Sequence, residues 1–397
     1  MITSMNSMLW FYVIALIPSL IGLFLYFKTE KVNLTEWICG SAIAFVIAGI
    51  MHICAYVGMT SDQEIWSGQI TQTVRHPFWI EEYQVSIYRT ETYPSIDMDG
   101  NLHMKTREVF DHYETRHRDH PQYFNKTVDF GSGEIQAFNI GESEFKAIVE
   151  KFGPINTVAH KQSGFDGGDS NIYVCPNRNG FIIPATTIKK WTNKVLASPS
   201  TFSYAKVPDS APVYNYPSCL DMWQSDRLLG DAGVKINTLS LDQMNARLGP
   251  RKKVNVIIIG FTSADAKLGK LQEAKFLGGK KNDVVICYGF APLEGNVPNV
   301  CWTYCFSFCK NEQMKRNIEK MFLEGPIDDS ILPKLYEEIV KNYQKREWSE
   351  FDTLTVKPRA IHYYILIGIM FITQFVLYLI FYFNGWNKLD QKCLDSW

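Results

Sequence analysis

The residues best suited to chemistry in this sequence fall into a few short clusters. Phe165-Asp-Gly-Gly-Asp-Ser-Asn171 brings Asp166, Asp169 and Asn171 together in a glycine-rich turn. Hard cations such as calcium take oxygen ligands from loops of this kind. The set is short of ligands and no distal Glu follows at EF-hand spacing, so a polar turn ahead of a strand at Ile172–Val174 is the expected structure. It is nevertheless the best candidate for a binding loop, because loops on a rigid scaffold carry function. A metal-assisted hydrolase, phosphatase-like, would use Asp166 and Asp169, with calcium or another divalent cation as the only cofactor implied.

The densest histidine cluster is Asp111-His-Tyr-Glu-Thr-Arg-His-Arg-Asp-His120. Zinc accepts histidine and carboxylate ligands, but helical pairs sit at i and i+4, a spacing that His112, His117 and His120 lack. Arg116 and Arg118 would repel a cation, and solvated strand-end residues are expected. Ala264-Asp-Ala-Lys-Leu-Gly-Lys-Leu271 comes close to a phosphate-binding loop, yet Leu271 stands where a hydroxyl would hold magnesium, and Lys270 falls inside a helix. Cys301, Cys305 and Cys309 recur every four residues. On a strand that spacing spans about 13 Å, too far for a shared zinc or a disulfide, so they are expected as small core residues on one sheet face. Arg251, Lys252, Lys253, Lys267, Lys270, Lys275, Lys280 and Lys281 make a basic region, expected to be a solvated face or a contact for headgroups or an acidic partner. No Gly-x-Ser-x-Gly, HExxH or GxGxxG motif is present.

These clusters must be positioned by a chain of two compositions. Its 397 residues are 20% charged, with a net charge of −1 and a mean hydropathy of −0.12. Residues 8–27, 37–59 and 363–383 contain no Asp, Glu, Lys or Arg. The remainder is then about 24% charged, near the soluble average of ~25%. Each uncharged run matches the roughly 20 apolar residues needed to cross a bilayer, and aromatic residues gather near their ends. A membrane-anchored α+β protein with three transmembrane helices follows, the lipid bilayer being its first partner. The balanced charge argues against nucleic acid as a partner.

Lys28 and Lys31 in the hairpin loop and Lys388 and Lys392 in the tail outnumber Lys357 and Arg359 beside the large domain. The positive-inside rule then puts hairpin loop and tail in the cytoplasm and the large domain outside, in the periplasm of a bacterium. Within the spans, His52 and Gln374 are polar and are expected to hydrogen-bond between helices; the functional alternative is a channel or transport path through His52. Gly40, Ala44 and Ala48 form a small-residue stripe that lets helices approach closely, within one chain or between copies.

The sequence divides into an N-terminal hairpin (1–59), a β-rich subdomain (60–217), an α/β subdomain (218–350) and a C-terminal span with a short tail (351–397). In the β-rich part, Glu82–Tyr93 alternates, Asp99-Gly100 signals a tight turn, and Leu102–Thr115 returns as the partner strand. Ser143–Phe152 is expected as an amphipathic helix capped by Ser143, with Phe145, Ile148, Val149 and Phe152 inward. Gly180–Ile183 reads as a further strand, and Pro208–Pro217 as an extended connector. In the α/β part, Val254–Gly260 and Asp283–Tyr288 are buried strands flanking a helix from Ala264 to Leu277, a βαβ unit. Val300–Phe308 adds a strand, followed by helices near 312–323 and 332–344.

The run from Val254 to Phe290, with Gly278-Gly-Lys-Lys-Asn-Asp283 at its turn, resembles a TPM domain, and the resemblance extends over about Lys253 to Asn342. TPM modules are membrane-tethered, extracytoplasmic and associated with membrane-protein assembly and repair, with phosphatase activity proposed for some. Val284 stands where many members place glycine, and no acidic metal site carries over. The overall layout is also similar to uncharacterised membrane proteins of large tailed bacteriophages. The Gly40, Ala44 and Ala48 stripe, the lack of a convincing catalytic set and the TPM-like module together lead to the expectation of a homo-oligomeric assembly or interaction protein without evident catalysis, in contact with itself and with other membrane proteins.

Overall fold

The computed structural model describes residues 7–28, 32–96, 99–153, 155–161, 169–198, 206–219, 226–230, 235–291, 299–351 and 353–384. It is a mixed α/β protein with three helices long and apolar enough to cross a membrane. These are α1 (Trp10–Lys28), α2 (Leu34–Thr60) and, after the large domain, α8 (Ala360–Asn384). Asn33 and Glu36 form a capping box that starts α2, each satisfying the other's backbone N–H.

The three helices pack through Phe11 and Ala15 of α1, Ala44 and Ala48 of α2, and Leu366 and Met370 of α8. Polar ties supplement this packing. Gln374 Nε2 donates to the Gly40 carbonyl at 3.0 Å, and Trp37 Nε1 donates to the Ser19 carbonyl at 2.9 Å. The Ser19 and Ser41 hydroxyls lie 2.8 Å apart.

β1 (Ser61–His76) follows α2 without a break. After it come β2 (Trp79–Ile96) and β3 (Leu102–His120), which pair only with each other. Next are β4 (Tyr123–Asp129), β5 (Ile135–Ile140), α3 (Glu142–Phe152), β6 (Asn156–Lys161), β7 (Asp169–Pro176) and β8 (Pro184–Thr192). The first sheet runs β5-β4-β1-β7-β6, with β8 joined to the N-terminal half of β1. Helix α3 covers it with Phe145, Ile148 and Phe152 buried. The predicted cap Ser143 lies inside this helix instead, because Gly141 occupies the capping position with extended backbone. The strand expected at Gly180–Ile183 begins at Pro184, after a turn in which Gly180 holds φ +64°.

The second sheet runs β12-β11-β10-β9: β9 (Leu228–Leu229), β10 (Asn255–Phe261), β11 (Asp283–Ala291) and β12 (Asn299–Ser307). β10 and β11 are parallel around α5 (Lys267–Lys275), the expected βαβ unit, and β12 is antiparallel. Alternate side chains sort to opposite faces, as strand geometry requires. Val256, Ile258, Val284 and Ile286 pack beneath α4 (Thr238–Lys252), α6 (Glu312–Glu324) and α7 (Ile331–Asn342). Ile257, Ile259, Val285 and Cys287 face α5. Tyr214 and Tyr216 pack on that same face, so the proline-rich segment is a strap on the second sheet rather than a free connector. Gln272 fastens it, accepting from the Tyr214 N–H and donating to its carbonyl.

Candidate functional site

Asp166 lies outside the described residues, while Asp169 and Asn171 belong to β7, opposite Lys161 and Ala159 of β6. Among the described residues no group of three or more His, Cys, Asp or Glu is placed to hold a metal ion. The histidine cluster lies along β3, and strand alternation separates it. His112 and His120 share one face with Ile87 and Trp79, whereas His117 sits opposite Glu82 on the other. His120 stacks on Trp79 at 4.3 Å and meets Glu81 at 2.8 Å.

The near-phosphate loop is packing. Gly269 lies inside α5, where an added Cβ would fall 2.7 Å from that of Tyr304, so the glycine lets helix and strand touch. Of the three spaced cysteines, Cys305 and Cys309 are buried but Cys301 is exposed, which corrects the expectation of a shared buried face. Cys309 lies beyond the end of β12, and its sulfur accepts from the N–H groups of Asn311 and Gln344.

His52 and Gln374 are both partnered inside the bundle. The His52 ring lies 3.2 Å from the Tyr12 hydroxyl. The Gly40, Ala44 and Ala48 stripe is buried within the chain, so these three residues join helices of one molecule.

The basic region is not simply a solvated face. Lys280 and Lys281, at the turn before β11, reach the first sheet. Lys280 Nζ stands 2.7 Å from Asp62, and Lys281 stands 4.0 Å from Glu64, which also meets Lys345 at 3.4 Å. Burial lowers the Lys281 pKa, against the opposing pull of Glu64. Asn282 donates to the Ile65 carbonyl at 2.6 Å. Arg227, fully buried, donates to Ser67 at 2.7 Å, to Asp242 at 3.0 Å and to Asn255 at 2.9 Å. Asp283 completes the network, accepting from Tyr216, Asn255 and the Lys280 N–H. Burial raises its pKa to about 6 despite these donors. A buried charge needs such partners, and this arrangement locks the two sheets together.

Among the described residues, one large feature packs mainly on itself. β2 and β3 form a ribbon of 18 cross-strand pairs, roughly 60 Å long at about 3.3 Å per residue. Its two faces differ. One carries Arg89, Glu91, Lys105, Arg107, Glu114, Arg116 and Arg118, tied by Arg89–Glu91 at 2.7 Å and Arg107–Glu91 at 3.3 Å. These guanidinium groups hold the Glu91 carboxyl below its usual range. The other carries Ile80, Tyr88, Ile96, Leu102, Met104, Phe110 and Tyr113, exposed by 45 to 69%. A bulge beside Ile87–Tyr88 shifts the alternation of β3, which brings Phe110 and Tyr113 onto the same face. Composition alone did not reveal this face; the bulge hides it from simple alternation.

No family model matches this chain, and no curated protein or solved structure matches it either.

Proposed function

We propose that this is a membrane-anchored assembly protein that engages protein partners through the β2–β3 arm. The observation that carries this reading is the exposed face of the arm, with one apolar cluster at Tyr88, Phe110 and Tyr113 and another at the tip, Ile96, Leu102 and Met104. Monomeric soluble proteins rarely leave so many large apolar side chains exposed on one element, and a two-stranded ribbon alone is marginal in water. α1, α2 and α8 span the bilayer, with the hairpin loop and tail on the cytoplasmic side and the large domain outside, in accord with the lysine distribution. The interlocked sheets supply the rigid base from which the arm extends. The resemblance of Lys253–Asn342 to TPM modules, associated with membrane-protein assembly, supports the same role.

Photo-crosslinking in native membranes tests it. A photoreactive residue at Tyr88 or Phe110 of the full chain is expected to give protein adducts, and one at the exposed Leu323 on α6 is not. Equal yields at all three positions, or none at the arm, would overturn the proposal.

A further inference from the structure

We infer that the arm's partner is a second copy of this chain, the two ribbons packing their apolar faces together in parallel about a two-fold axis. This rests on the reading of the arm as an interaction element and names its occupant. The register sets out the apolar face pair by pair: Glu82 beside His117, Gln84 beside Thr115, Ser86 beside Tyr113, Tyr88 beside Phe110, Thr90 beside Glu108, Thr92 beside Thr106, Pro94 beside Met104 and Ile96 beside Leu102. From Gln84 to the tip, Glu108 is the only charge on this face.

A two-fold axis along the arm lays β2 of one copy over β3 of the other. Tyr88 then meets Phe110 of its counterpart, Pro94 meets Met104, and Ile96 meets Leu102. At the base Glu82 meets His117, and Glu108 meets Thr90, so no like charges face each other. An antiparallel pairing would instead lay the tip residues Ile96 and Leu102 on Glu82, His117 and Asp119. Matching of the apolar clusters at Tyr88/Phe110 and at the tip therefore selects the parallel arrangement, in which Ile80 over Asp119 at the base is the one apolar residue set on a charge. The opposite face offers no such match to an apolar partner: Arg89, Arg107, Arg116 and Arg118 are paired with carboxylates within the ribbon, and Val85, Ile87 and Val109 there are half-buried.

Size agrees with this occupant. A ribbon about 60 Å long and about 10 Å wide presents roughly 600 Å² before side-chain relief is added. A standard interface takes about 800 Å² from each partner. The exposed aromatic residues at its centre are the types enriched in interface cores. Copies anchored in one bilayer share an orientation, so a symmetric pair of this kind sets its axis, and with it the arm, along the membrane normal.

Light scattering of the full chain in detergent micelles or nanodiscs, over a range of protein concentrations, tests the pairing. The wild type is expected as a dimer, and the Tyr88→Asp/Phe110→Asp variant as a monomer of half the protein mass. Both side chains are exposed, so the variant's melting curve should retain the large domain's transition. For register, Thr92→Cys in a Cys54→Ser/Cys301→Ser/Cys393→Ser background should crosslink to its own counterpart with a short bismaleimide, whereas Ser95→Cys, on the charged face, should not. A wild type monomeric at every concentration would overturn the inference, as would an unchanged mass for the Asp variant or equal linking of Ser95→Cys. Arm adducts with a different protein, together with a monomeric wild type, would keep the assembly role and refute self-pairing. Absence of arm adducts altogether would refute the assembly role itself.

Discussion

The Lys280 ammonium lies 2.7 Å from the carboxylate of Asp62, a residue 218 positions earlier in the chain and buried in the first strand of the other sheet. Asp62 also accepts from Asn193 at 2.8 Å. Removing Lys280 leaves this buried carboxylate with neutral donors only, Asn193 and the Gln63 N–H. Lys280→Ala should destabilise the large domain by about 1–3 kcal/mol, less than for a fully dry pair because the lysine is partly solvated. A double-mutant cycle with Asp62→Asn, followed by thermal melting, measures the coupling. Strict additivity of the two single changes would show that the pair does not join the sheets.

Gly249 marks the closest approach between the same two parts. A Cβ at this position would fall 1.8 Å from the Ser67 carbonyl oxygen, a backbone atom that cannot move without displacing β1. Gly249→Ala should therefore cost on the order of 3 kcal/mol, as overpacking at a rigid contact does. Gly58→Ala, which meets nothing within 4 Å, is the control. Melting of both variants checks the contrast, and equal midpoints would contradict it.

The α/β half was readable in the sequence because its strands are apolar on both faces. Val256 to Ile259 and Val284 to Cys287 are all buried, and the glycines at 278 and 279 end the intervening helical segment. The central strand β1 was not readable. Its buried positions include Asp62, Glu64, Ser67 and Thr73, whose polarity mimics a loop. Asp62, Glu64 and Ser67 are tolerated inside because Lys280, Lys345 and Arg227 come from 218, 281 and 160 residues away, a match that no local pattern carries. The arm is the intermediate case. Asp99-Gly100 and the flanking alternation announce a hairpin, but the bulge that unites Phe110 with Tyr113 is a tertiary fact.

Asp283 should make the domain's stability depend on mildly acidic pH. Its carboxyl titrates near 6 in the folded protein, against 3.8 as the ordinary value. The folded state thus binds a proton more readily than the unfolded chain between these values. Stability from this group falls as pH rises from about 4 to about 6 and then levels off, a swing on the order of 2–3 kcal/mol. Asp283→Asn removes the titration. The stability of wild type relative to this variant should be greater at pH 4.5 than at pH 7. Parallel pH profiles for the two proteins would refute the assignment.

Gln374 and Gly40 join α8 to the N-terminal hairpin by a side-chain hydrogen bond, 3.0 Å long and buried between the helices. Such bonds contribute about 0.6–2 kcal/mol in a bilayer, because the separated helices find other partners. Gln374→Leu should weaken the bundle by that amount while leaving the large domain's melting unchanged. The small residues Ala44 and Ala48 pack on through the same seam. Ala44→Leu, which inserts bulk where no space exists, should then be the more damaging of the two. Denaturation followed separately in the bundle and in the domain distinguishes them. A larger loss from Gln374→Leu than from Ala44→Leu would mean that hydrogen bonding, not close packing, holds α8 in place.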